Sequence, residues 1–393
     1  MKNEEPVAPR AAVSPVVVVG TGYAGVLSAL RVARKLPAPV LLLGEAPMLV
    51  ERIRIHERLA RDREVCHDLA SLLSGTRVRY QQGRVIGADF AARTVTTAEG
   101  TTFGYARLIL APGSVGNHAA HGLSLARADE LRSELPAVRR VLVVGGGLTG
   151  IEAAAEMAEA FPHVKVTLLT GLLAGELGSA GRDYVRATLL RLGVAVREGE
   201  RLVALEEGVA ITSEGDIPFD RCIDTTGMRA SPLLRDLGLE VDARGQALVD
   251  PLLRAQGHRD VYVVGDAATP GEGWSAEAAR HLGMGCKSAM PMGAHAADNV
   301  VASLLGRPQT PFAYRHPGYC LSLGRRMGLI QTVDAEGAPT ARVLRGRLGA
   351  WVKELVCRYT VFSLRLERAG LGYRWRKFPA ALPAAPTYNR LEA

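Results

Sequence analysis

Two sets of glycines at the same spacing are the residues with the clearest chemistry. Gly20-Thr21-Gly22-Tyr23-Ala24-Gly25 and Gly145-Gly146-Gly147-Leu148-Thr149-Gly150 both read GxGxxG. At a strand-to-helix turn, the first glycine allows the tight bend and the second lets a diphosphate approach the backbone. The third lets helix and strand pack closely. The helix that follows offers unpaired N–H groups and a positive dipole end to the phosphates. One such motif among 43 glycines is weak. Two of them, about 125 residues apart and each between an apolar run and a helical stretch, imply two bound dinucleotides. Asp266 adds a carboxylate at a strand end, where it can accept hydrogen bonds from sugar or ribitol hydroxyls.

Each motif needs a buried strand before it. Val16-Val17-Val18-Val19 and Val141-Leu142-Val143-Val144 are such runs, of the kind buried on both faces of a parallel sheet. The next strand, Pro39 to Leu43, ends at Gly44, where an acid would bind ribose hydroxyls. Glu45 follows one residue late, as a ribose ligand or as a solvent-facing loop acid. In the second unit the matching strand, Val166 to Leu169, ends at Thr170, again without the acid. Arg52 to His56 alternates charged and β-branched residues and reads as an amphipathic surface element. From Thr76 to Phe103 short strands broken by Gly83 and Gly100 predict an antiparallel meander. Leu108-Ile109-Leu110 ends in the turn Ala111-Pro112-Gly113, and Asp260 to Val264 is a further strand leading into Gly265-Asp266. Pro291 reads as the opening of a helix over Met292 to Leu305, stopped by Gly306 and Pro308.

Composition sets the outer limits. At 393 residues, 48% hydrophobic and 22% charged, the chain reads as a soluble protein of two or three domains. No run of about 18 apolar residues predicts a transmembrane helix. The first 13 residues read as a disordered tail. Five scattered cysteines without a CxxC predict a reduced, cytoplasmic setting, with neither a structural zinc nor a redox-active disulfide.

Together with Ala111-Pro112-Gly113, Thr225-Thr226-Gly227 and Val264-Gly265-Asp266, the two glycine motifs resemble the two-dinucleotide flavoprotein superfamily. Within it the chain looks like type II NADH dehydrogenases, on Gly-Leu-Thr-Gly-Ile-Glu152, Phe312 to Gly318 and Ser322 to Arg325. The resemblance implies an α/β fold with two Rossmann-like domains, an NAD(P) domain (135–249) inserted in a discontinuous FAD domain (14–134 and 250–311). A smaller C-terminal α+β segment (312–393) completes it. FAD would lie on Gly20, Gly22, Tyr23, Ala24, Gly25, Glu45, Arg54 and Val85, and on Ala111, Pro112, Gly113, Gly265, Asp266 and Met290. NAD(P)H would lie on Gly145, Gly147, Leu148, Thr149, Gly150, Thr170, Thr226 and Gly227.

The implied activity is hydride transfer from NAD(P)H to flavin N5, with electrons then passed to a quinone or other small organic acceptor. Glu152 and Lys287 are the candidate catalytic residues, and a helix start at Met290 and Pro291 would stabilise reduced flavin. The quinone-binding members carry a glutamine pair where this chain has Cys286 to Pro291, which leaves the acceptor open. A redox-responsive FAD-binding protein with a decayed nicotinamide site is one alternative. A reductase for a ferredoxin-like protein is another, and suits the basic charge. Thr170 neither binds a 2′-hydroxyl as an acid would nor repels a 2′-phosphate, and the nearest downstream arginine is Arg182. Discrimination between NADH and NADPH is therefore expected to be weak, below about 100-fold.

Between Arg342 and Lys377 ten Lys/Arg face two Glu, an excess equal to the whole net charge of +8. Leu348, Trp351, Val352, Leu355, Val356, Tyr359, Phe362 and Leu366 recur there at helical spacing. This stripe packs on the FAD domain or on a second subunit of a homodimer, or it lies on the inner face of a membrane through 342–377. No nucleic-acid partner is expected.

Overall fold

The computed structural model describes residues 14–117 and 121–375, so the tail expected over 1–13 lies outside the described residues. The first valine run forms β1 (Val16–Val19), with Val16, Val17 and Val18 fully buried. It leads into α1 (Tyr23–Lys35) and then β2 (Val40–Gly44). With β3 (Val78–Gln82), β4 (Arg107–Leu110) and a late strand at Val261–Val263 these make a five-stranded parallel sheet. Its order is Val261–Val263, β4, β1, β2, β3, with Val16 paired to Val40 on one side and to Arg107 on the other.

The meander expected over Thr76 to Phe103 is therefore only partly present. Val78–Gln82 pairs in parallel with β2, and the antiparallel meander holds only Val85–Asp89, Thr94–Thr97 and Thr102–Gly104. Val78 is buried in the main core, and a strand so placed at the sheet's end finds its partner across the sheet, not in its sequence neighbours.

Between β4 and Val261–Val263 the chain builds a second parallel sheet. Its elements are β5 (Arg140–Val144), α2 (Leu148–Ala160), β6 (Lys165–Thr170), β7 (Ala195–Glu198) and β8 (Arg221–Asp224), in strand order β7-β6-β5-β8. The chain enters and leaves this unit on two connecting strands, Ser114–Gly116 and Met228–Ala230, which pair antiparallel. The first sheet is then completed by β9 (Val261–Val263) and α3 (Cys286–Leu304).

Helix α3 starts five residues before Pro291, which lies inside it. Gly285, at φ +145°, caps the helix, and its N–H donates to Asp266 at 2.6 Å, so the helix start is fixed from outside. A proline there removes the bond to the Lys287 carbonyl. Helices α1 and α3 lie in close contact: Ser28 Oγ donates to the Gly293 carbonyl at 2.9 Å, and a Cβ at Gly293 would meet the Ala24 carbonyl.

The chain ends in an antiparallel sheet of β10 (Gly318–Ser322), β11 (Gly328–Val333) and β12 (Pro339–Arg345), followed by α4 (Gly346–Arg368). Helix α4 buries Gly349, Lys353, Cys357, Thr360, Leu364 and Glu367. The apolar stripe faces outward instead, with Trp351 60%, Leu348 55% and Phe362 52% exposed. Packing of the stripe on the FAD domain is thus corrected. The inward face is chosen by fit and pairing: Gly349 meets the backbone of Gly328, and Glu367 takes Arg31 at 3.2 Å and Arg34 at 2.8 Å.

Candidate active site

One cleft of about 2340 Å³ runs past the C-terminal ends of both sheets and under β10 and α4. That is room for two dinucleotides, since pockets for single small ligands hold roughly 300–1,000 Å³. The two glycine turns open on it and have the same backbone. Gly20 and Gly145 both adopt φ +111°, a conformation that L side chains rarely reach. A Cβ on Gly20 would overlap the Ala111 carbonyl, and one on Gly145 would press on Thr225. Gly22 and Gly147 are the caps of α1 and α2 and offer no side-chain cap, so the first N–H groups of each helix are free to meet an anion. Gly25 and Gly150 do not reach the cleft. A Cβ on either would overlap the carbonyl of Gly20 or Gly145, which is the close packing expected of a third glycine. Both turns therefore fit a dinucleotide diphosphate.

Most residues of the first set line the cleft: Tyr23, Ala24, Glu45, Val85, Ala111, Pro112, Gly113, Gly265, Asp266 and Met290. Glu45 is exposed just past β2. Asp266 accepts from Ser114 Oγ on one oxygen and from the Gly285 N–H on the other, each at 2.6 Å. Those two bonds fix a carboxylate that would meet the ribitol. Asp266→Ala is expected to weaken flavin binding by about 1–3 kcal/mol. Flavin retained per folded protein measures this, and undiminished retention would remove Asp266 from the site. The helix start next to it belongs to Cys286 and not to Met290, which lies in the second turn of α3.

Arg54 is corrected. It is 1% exposed and turned away from the cleft, bonded to Glu57 at 2.8 Å, Glu354 at 2.8 Å and Glu51 at 3.3 Å. Burial would raise the Glu354 carboxyl, but hydrogen bonds from Arg54 and Arg358 hold it at about 2. A guanidinium so desolvated needs several carboxylates, and α4 supplies one of them. Arg52, two residues earlier, is the arginine on the cleft wall, with Nη1 donating to the Ser114 carbonyl at 2.6 Å.

In the second set, Leu148 and Thr149 open α2 on the cleft. Thr170 Oγ1 accepts the N–H groups of Gly146 and Leu172 at 3.0 and 3.2 Å and donates to the Leu172 carbonyl at 2.9 Å. Thr226 donates through N–H and Oγ1 to Asp224, at 2.7 and 2.6 Å, ahead of Gly227 at φ +124°.

Where the two halves meet, Glu152 enters from α2. Its Oε1 accepts Lys353 Nζ at 3.0 Å and the Ser322 N–H at 3.0 Å, while Oε2 lies 3.7 Å from His56 Nδ1. His56 Nε2 is 3.2 Å from Ser322 Oγ. Burial would raise the Glu152 carboxyl, yet Lys353 and then His56 bring it below the ordinary value. Burial acts against the Lys353 charge too, and Glu152 holds its pKa well above the usual range. Burial chiefly lowers the His56 pKa below its ordinary value. Lys353, His56 and Ser322 were not legible as site residues. For Lys353 a signal existed: Gly349, Lys353, Cys357, Thr360 and Leu364 share one helix face, and a lysine among small and apolar residues is one that is buried.

Lys287 also lines the cleft, 4.3 Å above the Tyr319 ring, and burial lowers its pKa. Burial pushes the Cys286 thiol up to about 11, so it is no thiolate at neutral pH.

Comparison with known proteins agrees with this architecture. Residues 14–297 match the family model described as "Pyridine nucleotide-disulphide oxidoreductase". An NADH dehydrogenase-like protein of Mycobacterium tuberculosis is 31% identical over 376 residues, covering 82% of this chain and 90% of that protein. The demethylphylloquinone reductase NdbB of a Synechocystis species is 23% identical over 369 residues, covering 85% and 90%. The structure of NDH2 from Plasmodium falciparum in complex with NADH superposes with a TM-score of 0.73 at 14% identity, over 91% of this chain and 97% of that one. Twin glycine turns on one cleft and a match over most of the chain lead to one conclusion: this protein belongs to the pyridine nucleotide-disulphide oxidoreductase family and is an oxidoreductase of the NADH dehydrogenase-like type.

Proposed function

We propose that the protein is an FAD-dependent NAD(P)H dehydrogenase that reduces a small quinone-type acceptor. In this reading residues 14–134 and 250–311 hold FAD, 135–249 hold NAD(P)H, and 312–375 close the acceptor side. The observation that carries it is the pair of equivalent glycine turns opening on one continuous cleft. When bound, the flavin supplies the hydride-accepting and electron-donating chemistry. The chain's own residues position and polarise. Glu152, fixed by Lys353 and Ser322, would orient the nicotinamide end of the second nucleotide, and Lys287 would offer a cation beside the reduced ring.

Support for a flat, carbonyl-bearing acceptor comes from the far end of the cleft. Tyr314, Tyr359, Tyr373 and Trp375 line it, with Tyr373 and Trp375 stacked 6.2 Å apart. The Tyr314 hydroxyl is buried there with no hydrogen-bond partner among the described residues, a donor suited to a carbonyl oxygen. The name of the Synechocystis relative points the same way. Anaerobic addition of NAD(P)H should bleach the yellow protein, and a short-chain quinone should restore the colour. No bleaching would favour a binding protein with a decayed nicotinamide site. Restoration only by a ferredoxin-like protein would replace the quinone.

The outward stripe of α4 is proposed to rest on an anionic membrane surface. Arg358, Arg365 and Arg368 flank it as exposed residues, and Val356 and Tyr359 belong both to the stripe and to the cleft wall. An apolar acceptor dissolved in lipid would reach the cleft by that route. Among the described residues no helix is long and apolar enough to cross a membrane, so the contact would be peripheral. The protein is expected to sediment with anionic liposomes at low salt, and Trp351→Glu with Phe362→Glu is expected to abolish this. Sedimentation unchanged in that variant, or a solution dimer that needs the same residues, would assign the stripe to something other than lipid.

A further inference from the structure

The adenosine end of the second cradle has an unusual charge balance. Strand β6 ends at Thr170, and that hydroxyl is saturated, accepting two backbone N–H groups and donating to one carbonyl. It has no bond left for a ribose. The neighbouring strand β7 runs parallel, with Glu198 opposite Thr170, and the chain passes at once to Glu200 and Arg201 on the cleft wall. Both acids there are spent. Glu198 takes Arg186 and the Leu173 N–H, and Glu200 takes Arg197 and the Thr212 hydroxyl. Glu176 stands against Gly147, at the diphosphate turn.

Arg201 is different. Its backbone is held by Ser213 in both directions, at 3.2 Å and 3.0 Å. The residue lines the cleft, is exposed, and makes no ion pair among the described residues. A strand end without an acid, beside neutralised carboxylates and an uncommitted guanidinium, suits a 2′-phosphate better than a 2′-hydroxyl. We propose that Arg201 recognises the 2′-phosphate of NADPH and makes NADPH the preferred donor.

This rests on the reading of the second cradle as the nicotinamide nucleotide site. One exposed charge-assisted contact predicts a preference of roughly tenfold, within the weak discrimination expected from sequence. Arg201 does not follow β6 directly in sequence; the neighbouring strand β7 delivers it to the same strand end.

The test is a binding titration of the flavin-loaded protein with adenosine 2′,5′-bisphosphate and with 5′-AMP, which differ by that phosphate alone. The bisphosphate should bind roughly tenfold tighter, less so as salt is added. Arg201→Ala should bring the two to equal affinity while leaving 5′-AMP binding as it was. Equal affinities in the unaltered protein, or a preference that survives Arg201→Ala, would overturn the assignment. Binding of neither probe, with NAD(P)H still bleaching the flavin, would place the adenosine elsewhere and overturn it as well. Binding of neither without bleaching would overturn the nucleotide reading itself.

Discussion

Replacing Lys353 by alanine should lower the stability of the folded protein by about 3–5 kcal/mol, because it strands an ionised carboxylate in the interior. Glu152 and Lys353 are both buried, at 7% and 8% exposure, and each is the principal counter-charge of the other. Two further donors remain to Glu152, the Ser322 N–H and hydroxyl, but neither carries charge. Removing both charges at once, with Glu152→Gln and Lys353→Met, should recover much of the loss, since no buried ion is then left alone. Urea unfolding of Lys353→Met, Glu152→Gln and their double variant at neutral pH, alongside Lys353→Ala, measures the cycle. A loss below about 1 kcal/mol in Lys353→Ala would mean that water reaches the pair, and that it is a surface contact in effect. The same variant should also reduce flavin more slowly, because Glu152 loses the partner that fixes its direction.

The second large effect is expected from Gly150→Ala. The added methyl would overlap the Gly145 carbonyl and press on Thr225 Oγ1, whose hydrogen bonds to Val144 at 2.8 Å and Gly145 at 3.1 Å close the turn. The start of α2 must then move away from the strand, and with it the N–H groups aimed at the diphosphate. A shift of about 1 Å can cost roughly 100-fold in rate. The first cradle is untouched, so Gly150→Ala should remain yellow while its reduction by NAD(P)H slows by about that factor. Gly25→Ala is the mirror case and should emerge without flavin. Reduction at the original rate in a folded, yellow Gly150→Ala protein would mean that the second cradle holds no nicotinamide nucleotide.

What could be read from sequence divides along a physical line. The glycine turns were legible because backbone conformation restricts residue type: at φ +111° glycine is close to obligatory, so the letters carry the geometry. Lys353 and the stripe of α4 were not, because their roles depend on partners far along the chain, and Arg54 was not because Glu51 and Glu57, three residues to either side, and Glu354 of α4 hold it away from the cleft. Lys353 meets Glu152 across about 200 residues, and in a basic amphipathic helix a lysine otherwise reads as solvated. Hydrophobicity alone left the direction of α4 open, since its inward face is held by ion pairs and a glycine contact. The start of α3 was missed because Asp266 fixes Gly285 as its cap, and proline's preference for a first turn gave way to that bond.

The antiparallel pairing of Ser114–Gly116 with Met228–Ala230 has a consequence for how the chain assembles. Strand β4 must find Val261–Val263 about 150 residues later, and closing an unstructured loop of that length costs about 4 kcal/mol in chain entropy. The second sheet is built from one continuous stretch, and once it forms, the connecting strands bring its two ends side by side. To the first sheet the folded insert then counts as a short loop. The topology predicts an order of assembly reversed relative to the order of synthesis, with the later-made unit folding on contiguous chain and the earlier-made sheet closing last.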